Sequence, residues 1–187
     1  MRLTVLAGLM GATLAITTIP AGAAEWKSYI SRGLGFSFEA PGELKTEKST
    51  YNAQVAGKRD MVVYRAIDNN IEYKATVVDF KDRVGDGAIL LGEATFLFQD
   101  KKKLLMDTFG RVDGKYGRKL TVDQPNNGGR TLAAFYFLDG RLVSLQATVL
   151  PANGDFDSPE PGRFIDSISF FTVRAPDDAI ELPAPPK

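Results

Sequence analysis

The sequence predicts an α+β domain: a mostly antiparallel sheet of about six to seven strands with helices packed on it. Three observations lead there. Arg130 to Leu150 reads as two apolar-alternating runs meeting at Asp139-Gly140. Asp-Gly supplies the positive φ that a tight type I′ hairpin turn needs at both central positions. A second such pattern spans Lys58 to Phe80 and turns at Asp68-Asn69-Asn70. Helical periodicity is confined to two later stretches, so the strands pair with their chain neighbours and the helices cover them.

The first hairpin fixes a register. With a two-residue loop, Tyr136 faces Val143, Ala134 faces Leu145 and Leu132 faces Ala147. Strand side chains alternate, so these six share one apolar face that continues to Leu138 and Val149. The opposite face carries Phe135, Phe137 and Leu142 near the turn, then Ser144, Gln146 and Thr148. Phe135, Phe137 and Leu142 are therefore the expected interaction surface, joined by Phe96 from the helix described below.

Composition narrows the chemistry. Of 187 residues, 44% are apolar and 25% charged, enough to bury the core of one domain. The 23 basic and 23 acidic residues balance. Losing Arg2 with the first 23 residues leaves 22 against 23, so no strong attraction to nucleic acid or an anionic membrane is expected. There is no cysteine and no histidine. That excludes disulfides, thiol nucleophiles, Cys-based zinc sites, haem held by His or Cys, Cys-ligated iron–sulfur clusters, the Ser-His-Asp triad and any His general base. No cofactor or metal is expected.

In chain order, residues 1–23 read as an export signal. Arg2 precedes an uncharged stretch from Leu3 to Ile19, Pro20 breaks it, and Ala21-Gly22-Ala23 supplies small residues for cleavage before Ala24 or one residue later. The apolar run falls short of the roughly 20 residues that span a bilayer, so a cleaved signal is favoured over an anchor. The expected compartment is periplasmic or extracellular, with no stable membrane anchor after cleavage and an envelope protein as partner.

Residues 24–172 form the domain. Glu25 to Tyr29 leads into a short first strand with Phe36 and Phe38 alternating with Ser37, ended by Pro41-Gly42. Gly33-Leu34-Gly35 opens like a dinucleotide fingerprint, but Phe38 stands where the third glycine belongs and no strand precedes it. In the second hairpin Val62, Tyr64, Ala66, Tyr73, Ala75 and Val77 share one face, and Arg65, Glu72, Lys74 and Thr76 the other. Arg65 then faces Lys74, a mildly unfavourable pair that a one-residue slip at the turn would relieve.

Gly85-Asp86-Gly87 resembles a phosphate loop without its third glycine, and reads better as a helix start with Asp86 as N-cap. Leu90, Leu91, Ala94, Leu97 and Phe98 form the apolar stripe of a helix over about Ala88 to Lys101, from which Phe96 projects. Lys101 to Lys103 suit its C-terminal end. Leu104 to Val112 and Tyr116 to Asp123 follow as strands joined at Asp113-Gly114-Lys115, and Pro125 to Gly129 is a loop.

Asn153, Asp155 and Asp157 alternate as in a calcium loop, but Ser158 and Phe164 occupy the positions that need glycine and glutamate. Ser158-Pro159-Glu160 instead starts a short helix to about Asp166, with Ser158 as N-cap. Asp166 and Ser167 serve backbone groups at its end, and Ile168 to Phe171 is a last apolar stretch. Residues 173–187, with four prolines, read as a disordered tail.

Several short motifs carry a resemblance. They are Tyr29 with Gly35-Phe36-Ser37-Phe38 and Pro41-Gly42, Tyr116-Gly117-Arg118 opening a strand, Gly140-Arg141-Leu142 opening the last long one, and Arg163-Phe164-Ile165-Asp166-Ser167 near the end. In that order they resemble bacterial exported domains similar to PsbP, over about residues 25 to 172. The resemblance implies an α/β/α sandwich, a fold shared with a Ran-binding nuclear-transport factor. It also implies a role in binding other proteins or assisting assembly. Contacts proposed for plant members use residue types, including His, that this chain lacks, so no binding residue carries over.

Two functions compete. One is an exported, soluble, non-catalytic binding or accessory protein acting through protein–protein contacts. The other is a carboxylate-dependent hydrolase of the cell envelope, which needs two acids roughly 5 to 9 Å apart. Its candidates are Asp79, Asp82, Glu93, Asp107 and Asp123.

Overall fold

The structure, a computed structural model, describes residues 24–170 and 177–183. The export-signal reading of residues 1–23 lies outside them. The predicted hairpins form at the predicted register. β8 (Arg130–Leu138) and β9 (Arg141–Val149) pair Tyr136 with Val143, Ala134 with Leu145 and Leu132 with Ala147. Asp139 and Gly140 both take positive φ, 47° and 77°. β4 (Gly57–Asp68) and β5 (Ile71–Asp79) turn at Asn69-Asn70, φ 45° and 55°. No slip occurs: Arg65 stands opposite Lys74. The repulsion is eased diagonally, by an Arg65–Glu72 ion pair at 3.0 Å.

Seven strands form one wholly antiparallel sheet in the order β3-β4-β5-β9-β8-β7-β6. Its edges are β3 (Lys45–Ala53) and β6 (Lys103–Val112), and β7 (Lys115–Asp123) lies beside β6. The sequence reading missed β3, because KTEKSTYNA has no apolar alternation and only Ala53 is buried. A charged edge strand discourages pairing with other chains.

A second sheet of four strands was not expected. β1 (Trp26–Ser31) pairs antiparallel with β2 (Phe36–Pro41), and β10 (Ser169–Phe170) joins β2. β11 (Ile180–Glu181) pairs parallel with β1, placing Tyr29 beside Ile180. Part of the expected tail is thus ordered: Leu182 is buried, and its N–H donates to the Ile30 carbonyl at 2.7 Å. The proline content concealed a single apolar anchor. The other residues of that tail, 173–176 and 184–187, lie outside the described residues.

Two cores flank the large sheet. One face buries Tyr73, Ala75, Ala134, Tyr136, Leu145 and Ala147 against the small sheet and α2 (Glu160–Asp166). Phe164 of α2 meets Phe38 and Tyr73 edge-on at 5.9 and 5.3 Å. The other face buries Val78, Leu120, Ala133, Phe135 and Leu142 under α1 (Gly87–Gln99), whose buried side chains are Leu90, Ala94 and Thr95. One outer layer is therefore a helix, and the other is a helix with a small sheet.

Neither helix start uses the predicted cap. The Asp86 side chain accepts from Arg83 at 2.9 Å and makes no cap bond, and α2 begins after Pro159, with the Ser158 hydroxyl donating to the Glu160 carboxylate. The end of α1 behaves as expected. Lys102 donates to the Phe98 carbonyl, and its Nζ lies 4.6 Å from the Phe98 ring centroid.

Candidate functional site

α1 rests on β8 and β7, and beyond its edge the same face of β3, β4, β5 and β9 lines a recess. The result is an open groove of about 240 Å³, which continues past Lys74 and Gln146 into a shallower hollow of about 440 Å³. Register arranges this face in rows, the first of which starts with Lys45 outside the groove lining. One row runs Lys45, Arg65, Lys74, Gln146 across four adjacent strands. The next runs Glu47, Val63, Thr76, Ser144, Phe135. The third runs Ser49, Met61, Val78, Leu142.

The first row sets three cations side by side. Like charges directly opposite one another destabilise a sheet. Glu72 forms its ion pair with Arg65 and acts on Lys74 from farther off, and among the described residues no carboxylate lies within 4.0 Å of the Lys74 ammonium. Burial holds Lys74 below the usual lysine pKa; Glu72 opposes that shift, and Arg65 and Lys102 add to it. Burial likewise lowers Lys102, which lines the hollow with Glu72, Gln124 and Thr148.

The middle row supplies hydrogen-bonding groups. The buried Thr76 and Ser144 hydroxyls share a 2.7 Å hydrogen bond, and Gln146 Nε2 donates to Ser144 at 3.3 Å. Two polar atoms at the groove, the Tyr51 hydroxyl and Arg65 Nε, are shielded from solvent and have no hydrogen-bond partner. Burial, reinforced by Glu93, pushes the Tyr51 phenol up to about 12, so it is a neutral donor. The desolvated Lys74 and Lys102 beside neutral donors, with Glu47 set apart on β3, suit a carboxylate-bearing ligand.

The expected interaction surface is placed differently. Phe135 and Leu142 are 4% and 2% exposed, packed under α1, and serve as groove floor. Phe137 is half-buried beside them. Only Phe96 is exposed, at 69%. The sequence reading overlooked that the α1 stripe would cover that face near the turn.

Each of the five candidate acids has a partner of its own. Asp79 pairs with Lys81, Asp82 with Arg59, Asp107 with Arg118, and Asp123 with Arg130 and Lys103. Glu93 accepts from the Gln54 and Val55 backbone N–H groups. Asp79 is held below the usual carboxylate range by hydrogen bonds and charge from Lys81, which outweigh a desolvation that alone would raise it; Asp82 is held low by its hydrogen bond from Arg59. The 153–157 loop closes on itself: Asp155 N–H donates to the Asn153 side chain and Asp157 N–H to the Asp155 side chain, each at 3.0 Å. Ser167 accepts from the Glu39 N–H at 2.9 Å and donates to the Phe164 carbonyl at 2.8 Å, the backbone role expected for it, whereas the Asp166 carboxylate instead accepts from Lys119 at 2.5 Å.

Among solved structures, the chain is similar to cyanobacterial PsbP from Synechocystis, with a TM-score of 0.52 at 15% identity over 88% of this chain and 100% of that one. It is also similar, with a TM-score of 0.36 at 15% identity over 74% of this chain and 91% of that one, to a Pseudomonas aeruginosa protein of unknown function. No protein-family model matches the sequence, and no curated protein matches it. The first likeness defines the architecture: the chain has a PsbP-like α+β fold. Among the described residues, no helix is long and apolar enough to cross a membrane.

Proposed function

We propose that this chain is an exported, non-catalytic accessory protein that holds an acidic segment of an envelope protein in the groove beside α1. The observation that carries the reading is the row Lys45, Arg65, Lys74. Three cations abreast cost stability in the unliganded protein, and a bound carboxylate relieves that cost. Export is proposed from residues 1–23, and the accessory role accords with the PsbP-like fold. Against the hydrolase alternative, each of its five candidate acids is engaged by a cation or by backbone N–H groups.

Fluorescence anisotropy with a labelled glutamate-rich peptide tests the proposal. The purified protein should bind it, should weaken as salt rises, and should ignore a lysine-rich control. Lys74→Met should lower affinity about 10- to 100-fold, the range for losing a charge-assisted hydrogen bond of about 1.5–3 kcal/mol. Equal affinity for both peptides, or an unaffected Lys74→Met variant, contradicts the reading.

A further inference from the structure

The two edges of the seven-stranded sheet differ. β3 exposes Lys45, Glu47 and Lys48, which guard it. β6 exposes Leu104, Leu105, Met106 and Phe109, with Phe109 84% exposed. Its backbone pairs with β7 alone, so the outward N–H and C=O groups of a ten-residue strand have no neighbouring strand. A long apolar edge of this kind is a template for another strand.

We propose that β6 pairs antiparallel with β6 of a second copy of this chain, with Phe109 on the two-fold axis. Register follows from geometry. Successive residues of a strand point their N–H and C=O groups to alternate sides, so only residues of the same parity can face one another. A symmetric pairing must therefore be centred on a residue. Centring on Asp107 opposes the two aspartates, and centring on Arg111 opposes the two arginines. Centring on Gly110 sets Asp107 against Asp113. Centring on Thr108 leaves Asp107 against Phe109. Centring on Phe109 sets Asp107 against Arg111 twice, packs Phe109 on its symmetry mate, and joins Met106 to Val112. Within the regular stretch from Met106 to Val112, it is the one of these five registers that pairs opposite charges.

Local geometry agrees. Asp107, Phe109 and Arg111 alternate along β6 and so share one face. Asp107 is already oriented by Arg118, which accompanies Phe109 at 5.6 Å and reaches Thr95 of α1. Arg111 rests over the ring of Tyr116, its partner on β7, at 5.1 Å, and turns outward to meet Asp107 of the second copy in the proposed pairing. The irregularity between Leu104 and Met106 ends the regular strand where the proposed pairing ends. Because β3 is guarded, pairing through β6 closes as a dimer and does not propagate. A two-fold axis normal to the sheet also opens both grooves on the same side. This inference is independent of what the grooves bind.

Sedimentation equilibrium over a concentration series, with the purified wild-type protein, should show a reversible species of twice the monomer mass. Arg111→Glu, which sets two acids opposite, and Phe109→Lys should each remain monomeric with unchanged circular dichroism. The chain has no cysteine, so single cysteines report register cleanly. Phe109→Cys should crosslink through a short thiol reagent. Met106→Cys should not, being about 20 Å from its mate at about 3.4 Å per residue. A monomeric wild type, an open series of larger assemblies, or crosslinking at Met106 in preference to Phe109 overturns the proposal.

Discussion

Gly117 lies opposite Tyr136 in the β7–β8 ladder, on the face that buries the larger core. A Cβ there would fall 2.4 Å from two ring carbons of Tyr136 and 2.5 Å from the Phe135 carbonyl oxygen. The ring has no room to retreat: Tyr136 is fully buried and abuts Phe170 edge-on at 5.1 Å. Gly117→Ala should therefore force the ladder apart, at the cost of about 1–3 kcal/mol usual for overpacking. Replacing glycine inside a strand by itself returns about 0.5–1 kcal/mol, so a net loss near 1–2 kcal/mol is expected. With a urea slope of about 1–3 kcal/mol/M, the unfolding midpoint should fall by roughly 1 M at an unchanged slope. Gly162 provides the control. It lies inside α2, and a Cβ added there would meet nothing within 4 Å, so Gly162→Ala should stabilise by about 0.5–1 kcal/mol. Urea unfolding followed by far-UV circular dichroism measures both. A Gly117→Ala variant as stable as wild type, or equal losses at the two glycines, would refute the packing argument.

Other outcomes follow from the same geometry. Burial, with a smaller effect from Asp166, pushes the Tyr136 phenol up to about 12, from about 10 in the unfolded chain. The raised value means its stabilisation is intact below about pH 10 and is lost as pH climbs towards 12, at about 1.4 kcal/mol per pH unit. Urea midpoints across that window should fall, and less steeply for Tyr136→Phe. Leu182→Ala should destabilise by about 2–4 kcal/mol although it lies among prolines, because Leu182 is only 7% exposed and packs into the main core. A loss below about 0.5 kcal/mol would return that segment to the tail.

The hairpins were legible because their turns carry residues that accept positive φ: Asn69, Asn70, Asp113, Gly114, Asp139 and Gly140. Those turns set the registers of β4–β5, β6–β7 and β8–β9. β3 and β11 were not legible, since one is a polar edge and the other is two residues held by a neighbour. The groove was half legible. The Arg65–Lys74 opposition followed from the Asn69-Asn70 turn, but as a local sequence feature it read as a defect to be relieved. Its meaning depends on Lys45, brought alongside by the unrecognised β3, and on α1 stopping short of β4 and β5. Phe135 and Leu142 were misplaced for the same reason: alternation shows which face a side chain takes, and only tertiary packing shows what covers that face.

A two-dimensional amide NMR titration of the protein with a glutamate-rich peptide reports carboxylate binding in the groove beside α1. Shifts confined to the neighbourhood of Lys45, Arg65, Lys74, Ser144 and Gln146, and lost in Lys74→Met, are the predicted result. Shifts centred on the small sheet or α2, or none at saturating peptide, would contradict it.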